Sequence, residues 1–373
     1  MNQQAPEAAA DRRFMAMALA LGRRGLGRVW PNPAVGCVLV SPKGRVVGRG
    51  WTAEGGRPHA EVQALVQAGP LADGATAYVT LEPCAHHGET PPCAEALIKA
   101  GVVRVVSAVE DPDQRVCGRG HGMLRDGGIS VTVGVLEELA RADHRGFFAR
   151  NTLGRPFLTL KLAASIDGKI ATANGESQWI TGSAARRRVH LMRASHDAVL
   201  VGGGTARQDD PSLTVRGLGI SHATVRVVAA RHLDLPTDGQ LALTAPELPV
   251  WLCHGADADA ARITVWQRRG ARMFEVGTGP DRQLSPLAIL EALGTAGLTR
   301  VFCEGGGAFA ASLLGADLVD ELVIFQAGVA LGAEGIPAIG ALGLDRLSDA
   351  HRFDLRSQMS EGPDTVQIWR RNR

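Results

Sequence analysis

The sequence predicts two layered α/β domains in tandem, and three observations lead there. The chain has 373 residues, whereas a single hydrophobic core seldom grows past about 250–300 residues. Strand-like apolar runs alternate with helix-like stretches through both halves, as expected of strands layered with helices. Between the halves, residues 145–155 form a short, charged, glycine-containing segment. It puts the boundary near residue 150, giving domains 1–150 and 151–373.

In the first domain, residues 11–24 have the spacing of an amphipathic helix, with Asp11 as N-cap and Gly25 past its end. Strands are expected at 34–40 and 46–51, joined by the turn Ser41-Pro-Lys-Gly44. A helix over 60–68 is stopped by Gly69-Pro70, and a strand over 77–81 runs straight into a cysteine-bearing loop. Cys93 opens a helix over 94–100, with Lys99 in its last turn and Gly101 beyond. Strands at 102–109 and 129–135 complete the domain. The second domain repeats the alternation, with strands at 157–163, 198–202, 225–229, 250–254, 273–276, 300–303, 322–326 and 365–369. Its helices are expected at 183–194 (Ser183 as cap), 286–296 and 308–314.

Hydrophobic residues make up 45% of the chain and charged residues 21%, with a formal net charge of +2. That is an ordinary soluble profile, with no charge excess to draw it to nucleic acid or to a membrane. No targeting segment and no apolar run of about 20 residues is seen, so the cytoplasm is the expected compartment. The sequence leaves a homo-oligomer open. Six cysteines in such a chain read as metal ligands where they cluster and as small core residues where they do not. Only Cys84 and Cys93 cluster; Cys37, Cys117, Cys253 and Cys303 are expected in the core.

His59-Ala-Glu61 stands at a helix start, 24 residues before Pro83-Cys84. A catalytic zinc takes three protein ligands and keeps one open position. His59, Cys84 and Cys93 supply an imidazole and two thiolates near helix N-termini, which favour a thiolate. Glu61 would take a proton from the attacking water and return it to the leaving amine. This is the H-x-E…P-C-x-x-C signature of zinc deaminases, except that eight residues rather than two separate the cysteines. The alternative is a core cysteine pair beside an incidental histidine. His86 and His87 read equally as substrate contacts or as surface loop residues.

The second half is less explicit. Leu200-Val-Gly-Gly-Gly-Thr205 is a strand meeting a glycine-rich turn, able to bring backbone amides to a phosphate. Phe302-Cys-Glu-Gly-Gly-Gly-Ala-Phe-Ala310 does the same before a helix. Gly305, Gly307 and Ala310 match G-x-G-x-x-A, but too little chain follows for an ordinary dinucleotide-binding domain. The chain's one tyrosine, Tyr78, lies in the first half, which excludes a catalytic tyrosine from the second.

Three motifs of the first half, Pro31-Asn-Pro-Ala-Val-Gly-Cys37, Pro58-His-Ala-Glu61 and Glu82-Pro-Cys-Ala-His-His-Gly-Glu-Thr-Pro-Pro-Cys93, resemble the bifunctional deaminase–reductases of riboflavin biosynthesis. So do Leu160-Lys-Leu-Ala-Ala-Ser-Ile-Asp-Gly-Lys169, Ser177-Gln-Trp-Ile-Thr-Gly182 and Asp209-Asp-Pro-Ser-Leu-Thr-Val-Arg216 in the second. The match runs over roughly residues 11–372 and includes the widened cysteine spacing. The resemblance implies a cytidine-deaminase-like three-layer domain followed by a domain similar to dihydrofolate reductase. It implies one zinc ion per chain, NADPH as cofactor and a small phosphorylated pyrimidine as substrate, deaminated first and then reduced in its ribose. By motif position Asn32 would hold the pyrimidine. Ala163, Trp179, Thr205, Asp209 and the run Gly305, Gly306, Gly307, Ala308, Phe309 and Ala310 would contact NADPH. Ser177, Arg193, Leu213, Arg216 and Glu304 would contact the reductase substrate, with arginines suited to its phosphate. Lys161 and Asp209 are both candidates for the reductase proton donor.

The chain departs from the family pattern at Thr52, where many relatives carry histidine. It departs again at Ala230-Arg231, where an Asp-Ser pair is common; Arg231 either meets the cofactor's 2′-phosphate or faces solvent. A deaminase of free cytidine or of tRNA would explain the zinc set but leave over 200 residues idle, and the basic excess that RNA favours is missing. A nucleotide-binding protein with a degenerate site would not need the complete ligand set.

Overall fold

The structure, a computed structural model, describes residues 4–87, 91–113, 117–220 and 223–372; Gly88, Glu89 and Thr90 of the cysteine loop fall outside them. The chain folds as two compact units that meet in sequence at Gly154 and Arg155. The helix Glu137–Leu153 carries the chain through position 150, so the segment read as a linker is helical.

The first unit contains α1 (Gln4–Gly22), β1 (Gly36–Val40), β2 (Val46–Trp51), α2 (Ala60–Ala68), β3 (Thr76–Val79), α3 (Cys93–Lys99), β4 (Arg104–Ser107), α4 (Arg119–Asp126), β5 (Ser130–Val133) and α5 (Glu137–Leu153). The strands form one sheet in the order β2-β1-β3-β4-β5, antiparallel between β1 and its two neighbours and parallel beyond. Every residue of β1 is buried, because helices cover both faces. On one face a Cβ at Gly36 would stand 1.9 Å from the Ala18 carbonyl oxygen of α1. On the other, Cβ atoms at Gly48 and Gly50 would stand 2.2 and 2.0 Å from the carbonyl oxygens of Ala64 and Ala60. Glycine at these positions lets α2 seat directly on the strands.

Asp11 does not cap a helix. It lies inside α1, buried, and accepts two 2.8 Å hydrogen bonds from the Arg104 guanidinium and one of 2.9 Å from the Tyr78 hydroxyl. This network ties α1 to β3 and β4.

The second unit contains β6 (Phe157–Ser165), β7 (Lys169–Ala171), α6 (Ser183–Ala194), β8 (Ala198–Gly202), α7 (Gly203–Asp209), β9 (Val225–Ala229), α8 (Gln240–Thr244), β10 (Val250–His254), α9 (Ala260–Arg268), β11 (Arg272–Glu275), α10 (Pro286–Thr295), β12 (Arg300–Cys303), α11 (Gly307–Gly315), β13 (Glu321–Ala327), β14 (Ile336–Pro337), β15 (Phe353–Glu361) and β16 (Asp364–Arg371). Nine strands form one sheet in the order β11-β10-β9-β8-β12-β6-β13-β16-β15. It is parallel from β11 to β13 and antiparallel over the last two strands. The chain returns late to insert β12 between β8 and β6, so two strands with glycine-rich C-terminal turns become neighbours. At the unit's start Arg155 and Asp320 form a buried pair with contacts of 2.7 and 2.9 Å.

Some expectations are corrected. Gly182, not Ser183, is the N-cap of α6. Cys117 is exposed, while Cys37, Cys253 and Cys303 are buried as expected. Strand β15 escapes the sequence reading because Phe-Asp-Leu-Arg-Ser-Gln-Met-Ser-Glu alternates around a half-exposed edge and lacks an apolar run.

Candidate active sites

In the first unit, β2 and α2 place His59 and Glu61. His59 is the N-cap of α2 in extended conformation, and Glu61 follows in the first turn. The glycines of β2 bring this turn onto the sheet. Cys93 is the first residue of α3. Cys84 sits against the same helix start: its Sγ accepts from the Cys93 backbone N–H at 3.3 Å, and its carbonyl accepts from Ala94 N–H at 3.2 Å.

The His59 Nδ1 lies 3.3 Å from Cys93 Sγ and 3.6 Å from Cys84 Sγ, and the three donor atoms all fall within 4.8 Å of one another. A tetrahedral zinc ion with bonds of about 2.0–2.3 Å spaces its ligands roughly 3.6 Å apart, so the set fits. It is the one such cluster among the described residues. Chiefly through hydrogen bonding from the Cys93 thiol, and despite burial, the Cys84 pKa is drawn down to about 4, while Cys93 is driven up. Burial, with Cys84 beside it, pushes the Glu61 carboxyl up to about 7, a range suited to both taking and returning a proton.

Four supporting residues were not legible as such. Glu82, two residues before Cys84, is buried; its carboxylate accepts from the backbone N–H groups of Asp111 (3.2 Å), Gly118 (3.0 Å), Gly120 (2.8 Å) and His121 (3.3 Å). It holds the start of α4 against the cysteine loop, and Gly120 allows the fit, since a Cβ there would stand 1.9 Å from the Pro83 carbonyl oxygen. Thr52 is buried. Its Oγ1 accepts from Val35 N–H at 3.0 Å and donates to the Pro33 carbonyl at 2.8 Å, which pins the turn carrying Asn32. Gly56 then leaves room for the Asn32 amide, which a Cβ would overlap at 1.8 Å.

In the second unit a cavity of about 580 Å³ opens at the carboxyl ends of β6, β8, β9 and β12, where open α/β sheets bind ligands. Its wall includes Ala163, Ser177, Thr205, Asp209, Glu304 and the run from Gly305 to Phe309. The two glycine turns touch: Gly306 N–H donates to Thr205 Oγ1 at 3.2 Å. Both open helices, so backbone N–H groups of α7 and α11 face one space, a favourable setting for a dinucleotide's phosphates.

Ala310, Leu213, Trp179, Arg193 and Arg216 are not on that wall. Ala310 is buried in α11 and Leu213 in the adjoining core. Trp179 is exposed, its ring lying 4.7 Å under the Arg186 guanidinium. Arg193 is bound to Glu304 at 2.5 and 3.1 Å and to the Thr214 carbonyl at 2.8 Å. The Lys161 Nζ stands 4.0 Å from the same carboxylate. Burial works to raise the Glu304 carboxyl, but Arg193 and Lys161 together hold it below its ordinary value; burial lowers Lys161. Arg231 reaches the cavity wall and pairs with Asp257 at 2.5 Å.

The folds and sites define a zinc-binding deaminase unit joined to a reductase unit that works with a nicotinamide cofactor. The cytidine and deoxycytidylate deaminase zinc-binding region matches residues 8–109, and the RibD C-terminal domain matches residues 156–366. The chain is 40% identical to the riboflavin biosynthesis protein RibD of Escherichia coli over 360 residues, covering 95% of this chain and 97% of that one. It is 41% identical to RibD of Haemophilus influenzae over 364 residues, 94% of this chain and 95% of that one. A solved structure of Acinetobacter baumannii RibD superposes with a TM-score of 0.87 at 37% identity, covering 98% and 100% of the two chains. The diaminohydroxyphosphoribosylaminopyrimidine deaminase/5-amino-6-(5-phosphoribosylamino)uracil reductase of Thermotoga maritima gives 0.85 at 33% identity, again over 98% and 100%. The chain belongs to the RibD family, the bifunctional deaminase–reductases of riboflavin biosynthesis. No helix among the described residues is long and apolar enough to cross a membrane.

Proposed function

We propose that the chain carries out two consecutive steps on one phosphorylated pyrimidine in the cytoplasm. The first unit hydrolyses an exocyclic amine of 2,5-diamino-6-hydroxy-4-(5-phosphoribosylamino)pyrimidine: water adds, ammonia leaves and a ring carbonyl remains. The second opens the ribosyl group of 5-amino-6-(5-phosphoribosylamino)uracil and reduces it to the ribityl chain, adding one hydride and one proton. The observation that carries the substrate assignment is the Thermotoga maritima relative, named for both compounds and matched along nearly the whole chain.

His59, Cys84 and Cys93 would hold the zinc ion, which when bound acidifies a coordinated water. Glu61 then moves the proton from water to departing amine, and Asn32, set by Thr52 and Gly56, orients the pyrimidine. In the second unit the paired glycine turns, with Thr205 and Asp209, would receive the cofactor, which supplies the hydride. Lys161, half-buried on the wall beside Glu304, holds the proton for the reduced chain; Glu304 keeps it in place and Arg193 keeps Glu304 ionised. Arg231 supports NADPH rather than NADH. It stands at the end of a central parallel strand with His232 beside it, where a guanidinium suits a ribose 2′-phosphate.

The test is to supply the purified chain with the diaminopyrimidine and NADPH, following ammonia and absorbance of the reduced nicotinamide. Ammonia should appear first and NADPH oxidation follow. Chelating zinc should stop the first signal but leave reduction of the pre-deaminated compound. Failure to release ammonia from the diaminopyrimidine by the zinc-loaded chain would overturn the assignment.

A further inference from the structure

We propose that Asp167 is a positioning residue for hydride transfer. It latches the segment 328–340 at the cavity of the second unit, so that Ile336, with Ile170 and Ala171, backs the nicotinamide ring. This rests on the reading of that site given above.

The segment follows β13 and ends against the first turn of α11. Residues 328–334 are exposed except for half-buried Leu331, so hydrogen bonds rather than apolar burial hold them. Asp167 stands in the turn from β6 to β7. Its Oδ2 accepts from Gly332 N–H at 2.7 Å, and its Oδ1 from Leu331 N–H at 3.1 Å. Oδ1 also accepts from the Ser165 hydroxyl at 2.5 Å, and Ser165 Oγ accepts in turn from Lys169 N–H at 2.8 Å. One carboxylate thus closes the turn and fastens the segment to it. The Ser165 hydroxyl, with the Leu331 and Gly332 N–H groups, holds the carboxyl down at about 2, so at neutral pH it only accepts. Further along, Ile336 and Pro337 pair with Ala171 and Lys169. Ala338 N–H donates to the Gly168 carbonyl and Gly340 N–H to the Gly307 carbonyl, both at 2.9 Å. A Cβ at Gly307 would stand 2.5 Å from the Pro337 carbonyl oxygen, so the segment lies directly on the glycine turn that opens α11.

What the latch places is a wall of the cavity. Ile170, Ala171 and Ile336 line it together with Lys161, Ala163 and Arg231. The sheet order across the cavity is β9, β8, β12, β6. Arg231 follows β9, and the glycine turns follow β8 and β12. A dinucleotide with its 2′-phosphate at Arg231 and its diphosphate at the turns therefore ends at β6, where Lys161 stands and from which β7 continues. One face of the nicotinamide ring must meet the substrate within about 3–3.5 Å, so the other must be backed by something fixed. Ile336 is 38% exposed, an apolar side chain on the cavity wall still open to be covered. Without the latch, that wall would hang on the two-residue pairing of β14 with β7.

Full-chain variants separate positioning from folding. Asp167 is exposed, so Asp167→Ala spares the core of the unit. With NADPH and 5-amino-6-(5-phosphoribosylamino)uracil, its single-turnover rate of NADPH oxidation should fall by about tenfold or more. Asp167→Asn keeps one acceptor oxygen and should fall between Asp167→Ala and wild type. Adenosine 2′,5′-bisphosphate, which fills only the Arg231 end, should bind each variant within about twofold of wild type. Ile336→Ala spares the latch but removes the wall, and should also slow the step. Because latch and wall act through one another, the double variant should be no slower than the slower single variant, within about twofold. An unchanged rate in Asp167→Ala would overturn the inference. So would an equal loss of adenosine 2′,5′-bisphosphate binding, which would make the latch a general support of the unit, or fully additive losses in the double variant. Failure of the wild type to reduce the uracil compound would instead sink the functional reading on which the proposal rests.

Discussion

In the first unit the candidate metal ligands come from one stretch of chain: His59 and Cys93 are 34 residues apart, and both sit at helix starts laid on the same sheet. In the second, Arg193 and Glu304 are 111 residues apart and meet because β12 returns late to insert between β8 and β6. The first site is held by short-range devices: an N-cap histidine, glycines under a helix, a glutamate gathering backbone amides. The second is held by sheet order. A site of the first kind leaves a motif in the sequence, whereas one of the second kind leaves only scattered residues whose partners depend on topology. The chemistry follows the same division. A metal ligand set must be close-packed and nearly invariant in type, while a cavity for a large cofactor can be lined mostly by backbone.

The sharpest way to break this comparison is Glu61→Gln. An amide cannot shuttle the proton, so ammonia release should fall by about 10²–10⁴-fold. Zinc content by metal analysis should be unchanged, as should reduction of the pre-deaminated substrate. Wild-type ammonia release would remove Glu61 from the chemistry.

A second expected effect is on stability. The Arg155–Asp320 pair is buried, and the Asp320 carboxylate also accepts from Leu158 N–H at 2.8 Å. Asp320→Ala leaves a buried guanidinium without its partner and should cost the second unit about 3–5 kcal/mol. We propose that the halves fold independently, so denaturant unfolding of the variant should move one transition only, and residues 1–154 expressed alone should still deaminate. A shift of both transitions together would mean that the units unfold as one.

The smallest effect sharpens the cofactor assignment. Arg231→Ala should weaken NADPH binding by about tenfold and leave NADH binding nearly unchanged, measured by fluorescence titration of each. Equal losses for both nucleotides would place Arg231 away from the 2′-phosphate.

Much of the fold was legible because its signals are local. Apolar runs marked most of the central strands, and glycine or proline marked several helix ends. Helices α4 and α5 and strand β15 were missed where polar or charged residues outnumber the apolar ones that face inward. Asp11 misled for a related reason: a carboxylate before an apolar stretch looks like a cap unless its partners are known, and Arg104 and Tyr78 come from other elements.

By itself the sequence picked out a candidate zinc-ligand set, a candidate acid/base beside it and the two glycine turns, because each depends on residue type at short spacing. Only the tertiary structure decided that the two turns share one cavity, that Glu304 is neutralised by Arg193 and Lys161, and that Thr52 and Glu82 brace the first site. Those are contacts between distant segments. A side chain's hydrogen-bonding capacity is written in its chemistry, but which partner satisfies it is settled by the order in which strands lie side by side.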